Sequence, residues 1–166
     1  MTEDVTGLDP TQMTDEVSAV AALPEWVVFS CAGEWFGVPL LSSREVVPPQ
    51  PLTRLPGCGP EVAGLIGLRG RVVTAFDMGV VLEREPSSRL PDHRMLVIDH
   101  GDRVVAIAVD EIVGIAREHY ALLQQPGAES LGKAEAVRGD VVGVGRLEGK
   151  HYFALDPDRI LKRLLA

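Results

Sequence analysis

The chain has 166 residues, 46% of them apolar but only eight aromatic, and a formal charge of −8. That length suits one ordinary domain or two very small ones sharing a core, and the packing must come mainly from Val, Leu, Ile and Ala. Residues 1–25 hold six of the 24 acids and no Lys or Arg, so the other 141 carry 18 acids against 16 bases, a balance of −2; this charge pattern lacks the concentrated basic face that nucleic-acid binding requires.

Residues 1–23 lack the apolar periodicity to fold alone and read as an acidic, flexible tail ahead of a folded region 24–166. There is no basic stretch leading into an apolar run, and no uncharged apolar stretch nears the roughly 18 residues of a membrane helix. The expectation is a cytoplasmic protein with no direct membrane insertion. Trp26 to Cys31 and Trp35 to Leu40 are apolar, β-branched runs around Ala32-Gly33-Glu34, a short-loop hairpin. From Val47 to Pro60 five prolines and two glycines exclude a central strand or a helix and predict a long surface connection. Leu65 to Leu68 and Val72 to Phe76 make a second hairpin, and Pro86 to Pro91 is a polar break.

Met95 to Asp99 turns at His100-Gly101-Asp102 into Arg103 to Val109. Another loop is expected between Gln124 and Arg138, containing Pro126, Gly127 and Gly132. Asp140 to Leu147 and His151 to Leu155 form the last hairpin. Asp156-Pro157 supplies an N-cap and an N1 proline, and Ile160, Leu161, Leu164 and Leu165 share one face of a short C-terminal helix.

Part of this order is a repeat. Leu68, Gly70, Asp77 and Leu82 return 79 positions later as Leu147, Gly149, Asp156 and Leu161, with Arg71 answered by Lys150 and Phe76 by Leu155. Such a period is too long for a small solenoid unit and indicates duplication of half the fold. A weaker echo precedes each copy: Val27-Val28-Phe29 through Glu45-Val46-Val47 resembles Leu96-Val97-Ile98 through Glu111-Ile112-Val113. Many short strands with Gly turns point to an all-β protein, and duplication favours two small paired barrels meeting near 83–93.

Residues able to do chemistry are sparse. Ser42-Ser43 and Ser87-Ser88 lack a GxSxG setting. Gly143-Val144-Gly145 with Gly149 has the wrong spacing, and lacks the helix N-terminus, for a phosphate loop. Gly64, Gly67 and Gly70 read as close-packing and turn positions. His93, His100, His119 and His151 are scattered without metal-ligand spacing, and Cys31 and Cys58 form no CxxC. Asp77 and Asp156 sit at matched helix starts, where capping outweighs acid/base work. No enzyme, metal or cofactor is expected. Arg69 stands apart, because it precedes a turn glycine and its counterpart in the repeat is Glu148. It is either a solvated turn charge or, with the lone Glu45, half of a bidentate pair.

The runs Glu25 to Ser30, Phe36-Gly37-Val38, Arg44-Glu45-Val46, Leu52-Thr53-Arg54-Leu55 and Gly64 to Val73, then Gly101 to Asp110 and Asp140 to Gly149, resemble in order and spacing the CheW-like coupling proteins of bacterial chemosensory systems. The resemblance covers about residues 24–166. It implies two five-stranded, SH3-like β-barrels, each with its own core and a third core between them. It also implies a non-catalytic adaptor that docks to the regulatory domain of a CheA-like histidine kinase and to the cytoplasmic tip of a methyl-accepting chemoreceptor. Carried over residue by residue, the receptor-binding positions are Glu45, Gly64, Arg69, Ile112 and Ile115; kinase-contact residues are not assigned. A diverged module serving motility or pili through another protein partner is the alternative, and a small enzyme would need titratable groups converging in a pocket.

Overall fold

The computed structural model describes residues 24–117 and 131–165. Within them run β1 (Glu25–Cys31), β2 (Glu34–Pro39), β3 (Ser43–Val47), β4 (Val62–Leu68), β5 (Arg71–Asp77), α1 (Met78–Val81), β6 (Arg94–His100), β7 (Arg103–Val109), β8 (Glu111–Arg117), β9 (Val141–Leu147), β10 (Lys150–Leu155) and α2 (Pro157–Leu164). The tail expected at 1–23, His119 and most of the loop expected from Gln124 lie outside the described residues. From Gly132 to Asp140 that loop is wound into 3-10 turns rather than left irregular.

The hairpins form where turn chemistry allows. Ala32-Gly33, Arg69-Gly70 and Glu148-Gly149 place both turn residues at positive φ (54° and 81°, 51° and 77°, 51° and 80°), the two-residue turn whose twist matches the flanking strands. Asp77 caps α1, accepting from the Val80 amide at 3.3 Å, and Asp156 caps α2, accepting from the Asp158 amide at 3.0 Å.

The strands assemble into two five-stranded sheets, β8-β1-β2-β10-β9 and β3-β6-β7-β5-β4. Replacing β1, β2, β8, β9 and β10 by β6, β7, β3, β4 and β5 turns one order into the other. The segment near 83–93 lies between the two sequence copies, yet each sheet takes strands from both sides of it, so this junction does not divide the sheets. The chain crosses over instead at Leu40–Ser42, between β2 and β3, and at Asp110, between β7 and β8. A parallel pair then joins the two copies within each sheet, β2 with β10 and β5 with β7.

Registers show that two offsets are at work. Phe36 pairs with Phe153 and Val105 with Thr74, which relates β2 to β7 by 69 positions and β10 to β5 by 79. Even the bulges repeat: Arg44 is the extra residue opposite Ile98/Val97 and Val113 the extra residue opposite Phe29/Val28. This register matches Glu45 with Gly114, not with Glu111 as the sequence echo suggested.

Side-chain alternation distributes the apolar residues into three clusters. Val27, Phe29 and Cys31 of β1 and Leu96 and Ile98 of β6 face a shared core that also receives Met78, Leu82, Ile160 and Leu161. Their neighbours turn the other way: Met95 and Val97 join Ile66, Val73, Ala75 and Ala106 inside the second sheet, while Trp26 and Val28 join Tyr152, Ala154 and Ala116 inside the first. Burial on both faces explains why these strands read as continuous apolar runs. The two inner clusters solve one packing problem differently. Tyr152 lies over Gly37, where an added Cβ would stand 2.8 Å from its ring, and over Gly145; the matching trio in the second sheet is Val73, Ala106 and Ile66.

Candidate docking face

In the second sheet the end strands are β3 and β4, and the residue pair singled out from sequence spans them. Glu45 projects from β3, and Arg69 from the β4–β5 turn donates Nε to Oε1 at 3.1 Å and Nη2 to Oε2 at 2.8 Å. The fork is bidentate, so each side chain fixes the orientation of the other. The hydrogen bonds that Glu45 accepts, and after them its charge, hold the Arg69 guanidinium above its ordinary pKa. The backbone at Arg69 is left-handed, as is that at Glu148 in the other copy, so the turn needs the conformation and not an arginine. Arg69 is therefore half of an ion pair rather than a solvated turn charge, and its side chain is still 78% exposed.

Gly64 belongs to the same sheet but to a different job. Its φ is +147°, and a Cβ there would stand 2.6 Å from the Thr53 carbonyl oxygen. The absence of a side chain lets the Pro-rich connection lie against β4, where Thr53 and Leu65 exchange backbone hydrogen bonds of 2.9 and 2.8 Å. The long surface connection is thus held to β4 at Thr53.

Ile112 and Ile115 lie on β8, an end strand of the first sheet. Ile112 faces a groove of about 580 Å³ between the sheets, which it shares with Val46, the residue after Glu45, and with Leu90. Ile115 is 45% exposed beyond it. The five positions are therefore not one cluster: Glu45 and Arg69 touch, Ile112 reaches their neighbour Val46 across the groove, Ile115 flanks it, and Gly64 acts through Thr53. Val46 and Leu90, exposed by 41% and 44%, belong to this face and escaped the sequence reading. Their only signal is local: Val46 is an exposed apolar residue on an end strand, and Leu90 stands just before Pro91.

Two carboxylates, the partly buried Asp110 and the buried Asp77, align the groove. Asp110 accepts from the Ala32 amide at 3.1 Å and from the Ser87 hydroxyl at 2.7 Å, while Asp77 accepts from the amides of Ser87 and Ser88 at 2.8 and 2.9 Å. Together they hold the 3-10 turn Ser87–Arg89, and hence Leu90, against the start of β8, and hence Ile112. Cys31 Sγ lies 3.3 Å from Ser87 Oγ in this network. Burial pushes its thiol up to about 12, aided by Asp110 and Asp77 and opposed by the Ser87 hydrogen bond. At neutral pH it is an inert, protonated core residue. Cys58 is exposed.

A family model described as the CheW-like domain matches residues 25–165. Protein PilI of Pseudomonas aeruginosa is 31% identical over 101 residues, 60% of this chain and 56% of that protein, so the chain spans a little over half of PilI. The chemotaxis protein CheW of Helicobacter pylori is 24% identical over 139 residues, covering 84% of this chain and 82% of that one. CheW of Klebsiella aerogenes is 27% identical over 88 residues, 53% of each. The crystal structure of the scaffolding protein TtCheW from Thermoanaerobacter tengcongensis superimposes with a TM-score of 0.70 at 19% identity, over 81% of this chain and 89% of that one, a likeness of fold.

Proposed function

This chain belongs to the CheW-like domain family, and on that premise we propose that it is a non-catalytic, cytoplasmic adaptor joining the regulatory domain of a CheA-like histidine kinase to the cytoplasmic tip of a chemoreceptor. The observation that carries the reading is the bidentate Glu45–Arg69 pair, a pre-organised charge fork held on an exposed face beside a groove in which Val46, Leu90 and Ile112 lie among charged residues. A helical tip would lay its apolar stripe against Val46, Leu90 and Ile112, and Arg69 would add orientation through the donors that Glu45 leaves unused. Binding then transmits geometry and breaks no bond. Among the described residues no helix is long and apolar enough to cross a membrane.

The test is a pair of titrations. Arg69→Glu removes the fork and sets like charges side by side, so binding of a receptor-tip fragment should be lost while binding of the kinase regulatory domain is retained. Tip binding that survives the reversal refutes the assigned site. The likeness to PilI favours a second reading, in which the same face serves a motility or pilus pathway through a different protein. In that case the reversal leaves the chemoreceptor titration as it was and alters binding to the other partner.

A further inference from the structure

The face around the Glu45–Arg69 pair holds more positive charge than its own carboxylates offset. A depression of about 390 Å³ is lined there by Arg44, Arg69 and Arg71 above Leu68 and Val73, with Glu45 as its carboxylate; three cations less one anion leave +2. Arg44 also meets Asp99 at 3.4 Å, a contact open to solvent that lowers the local balance to +1. Arg71 is exposed and forms no ion pair among the described residues. The opposite excess is in this same chain. Residues 1–23 carry Glu3, Asp4, Asp9, Asp15 and Glu16 without a Lys or Arg, a side-chain charge of −5.

The two are within reach of each other. Trp26 pairs with Pro39, and five further residues lead to Arg44. With one strand spacing of about 5 Å and at most about 18 Å of chain, Arg44 lies within roughly 23 Å of Trp26. Asp15 stands eleven positions before Trp26, a reach of up to about 36 Å, and Glu3 stands farther still. Exposed ion pairs contribute little one at a time. Tethering changes the arithmetic, because a short linker presents the acids at an effective concentration on the order of millimolar.

We propose that the acidic segment 1–23 of this chain folds back over the Arg44–Arg69–Arg71 face and competes with the receptor tip for it. The competition rests on the receptor-binding reading above; the docking does not. Several weak contacts on exposed guanidinium groups give an occupant that a true partner displaces and that salt releases, since screening shortens from about 10 Å at 0.1 M to 3 Å at 1 M.

The full chain itself supplies the assay. With Cys58→Ser, the remaining native thiol is the buried, unreactive Cys31, so Thr11→Cys takes a nitroxide label in the acidic segment. Paramagnetic broadening is then read at the side-chain Nε–H signals of Arg44, Arg69 and Arg71. At about 50 mM salt all three should broaden, and the effect should vanish near 0.5 M salt, as screening requires. It should vanish also when Glu3, Asp4, Asp9, Asp15 and Glu16 are replaced by Gln or Asn. That neutralised chain should bind the receptor-tip fragment about three- to tenfold more tightly at low salt, with unchanged kinase binding. Absence of broadening, or broadening that survives neutralisation, overturns the docking. Broadening with no gain in tip affinity overturns the competition. A chain that shows salt-sensitive broadening but binds no receptor tip supports the docking and refutes the adaptor reading instead.

Discussion

Gly64→Ala isolates the step on which the shape of the second sheet's edge depends. The added methyl would stand 2.6 Å from the Thr53 carbonyl oxygen and 3.1 Å from its carbon, and both are backbone atoms that no side-chain rotation can clear. The chain has two ways to respond. It can keep the contact, which combines positive-φ strain of about 1–3 kcal/mol with overpacking of about 1–3 kcal/mol. Or the Pro-rich connection can lift, losing two Thr53–Leu65 hydrogen bonds at about 0.5–1.5 kcal/mol each and keeping the strain. Either route predicts a loss of roughly 2–6 kcal/mol. Urea unfolding followed by tryptophan fluorescence measures it, with Trp26 buried in the first sheet's core as the reporter. Gly67→Ala, three positions along the same strand, is the control. Among the described residues, no atom beyond its chain neighbours lies within 4 Å of its new methyl, so it should be neutral or stabilise by about 0.5 kcal/mol. A Gly64→Ala chain within about 0.5 kcal/mol of the parent, its Thr53 and Leu65 amides still protected from exchange, refutes the reasoning.

Three further outcomes follow from the packing and the buried charges. Gly145→Ala puts a methyl onto the Tyr152 phenol and should cost about 1–3 kcal/mol by overpacking; adding Tyr152→Val, the residue at the matching place in the second sheet, should recover most of it in the same unfolding assay. Burial raises the Asp140 carboxyl above its ordinary pKa and Arg163, at 2.7 Å, opposes the rise. Stability from Asp140 is therefore present at acid pH and declines as pH rises through its folded value. Arg163→Met steepens that decline, and since Arg163 is half exposed the deficit should be about 1–2 kcal/mol at pH 7 and shrink towards pH 4. A deficit independent of pH would show that the pair is not coupled. Cys31, raised from 9.0 to about 12, should withhold its thiol from alkylation at pH 8 until the chain unfolds, while Cys58 reacts at once. Its contribution to stability is complete below about pH 9 and lost as pH rises towards 12, up to about 4 kcal/mol, a slope that Cys31→Ala should abolish.

Much of the local structure was legible without coordinates. Turn residues at Gly33, Gly70 and Gly149, the Asp77 and Asp156 caps and the proline cluster after Val47 each act through a few neighbouring backbone atoms, so residue types alone report them. The 79-residue repeat exposed the duplication, and the lone Arg69, replaced by Glu148 in the other copy, marked a side chain kept for something other than the turn. The lone charge of Glu45 marked it as a possible bidentate partner, and the geometry joined them.

Pairing was a different matter. Every strand offers the same row of amides and carbonyls, and nothing in the order of hairpins tells β2 to join β10 rather than a strand of its own copy. That choice follows from filling three cores at once, which requires Val27 and Trp26, adjacent in the chain, to serve different clusters. The same constraint moved the partner of Glu45 in the repeat to Gly114 and balanced Tyr152 against two glycines. It also brought Val46 and Leu90 to one groove with Ile112. Residue chemistry thus determined the elements and the suspect charges, because those depend on contacts a few positions apart. The assembled volume decided the sheets, the groove and its lining, because those contacts span tens of residues and exist only once both copies are interleaved.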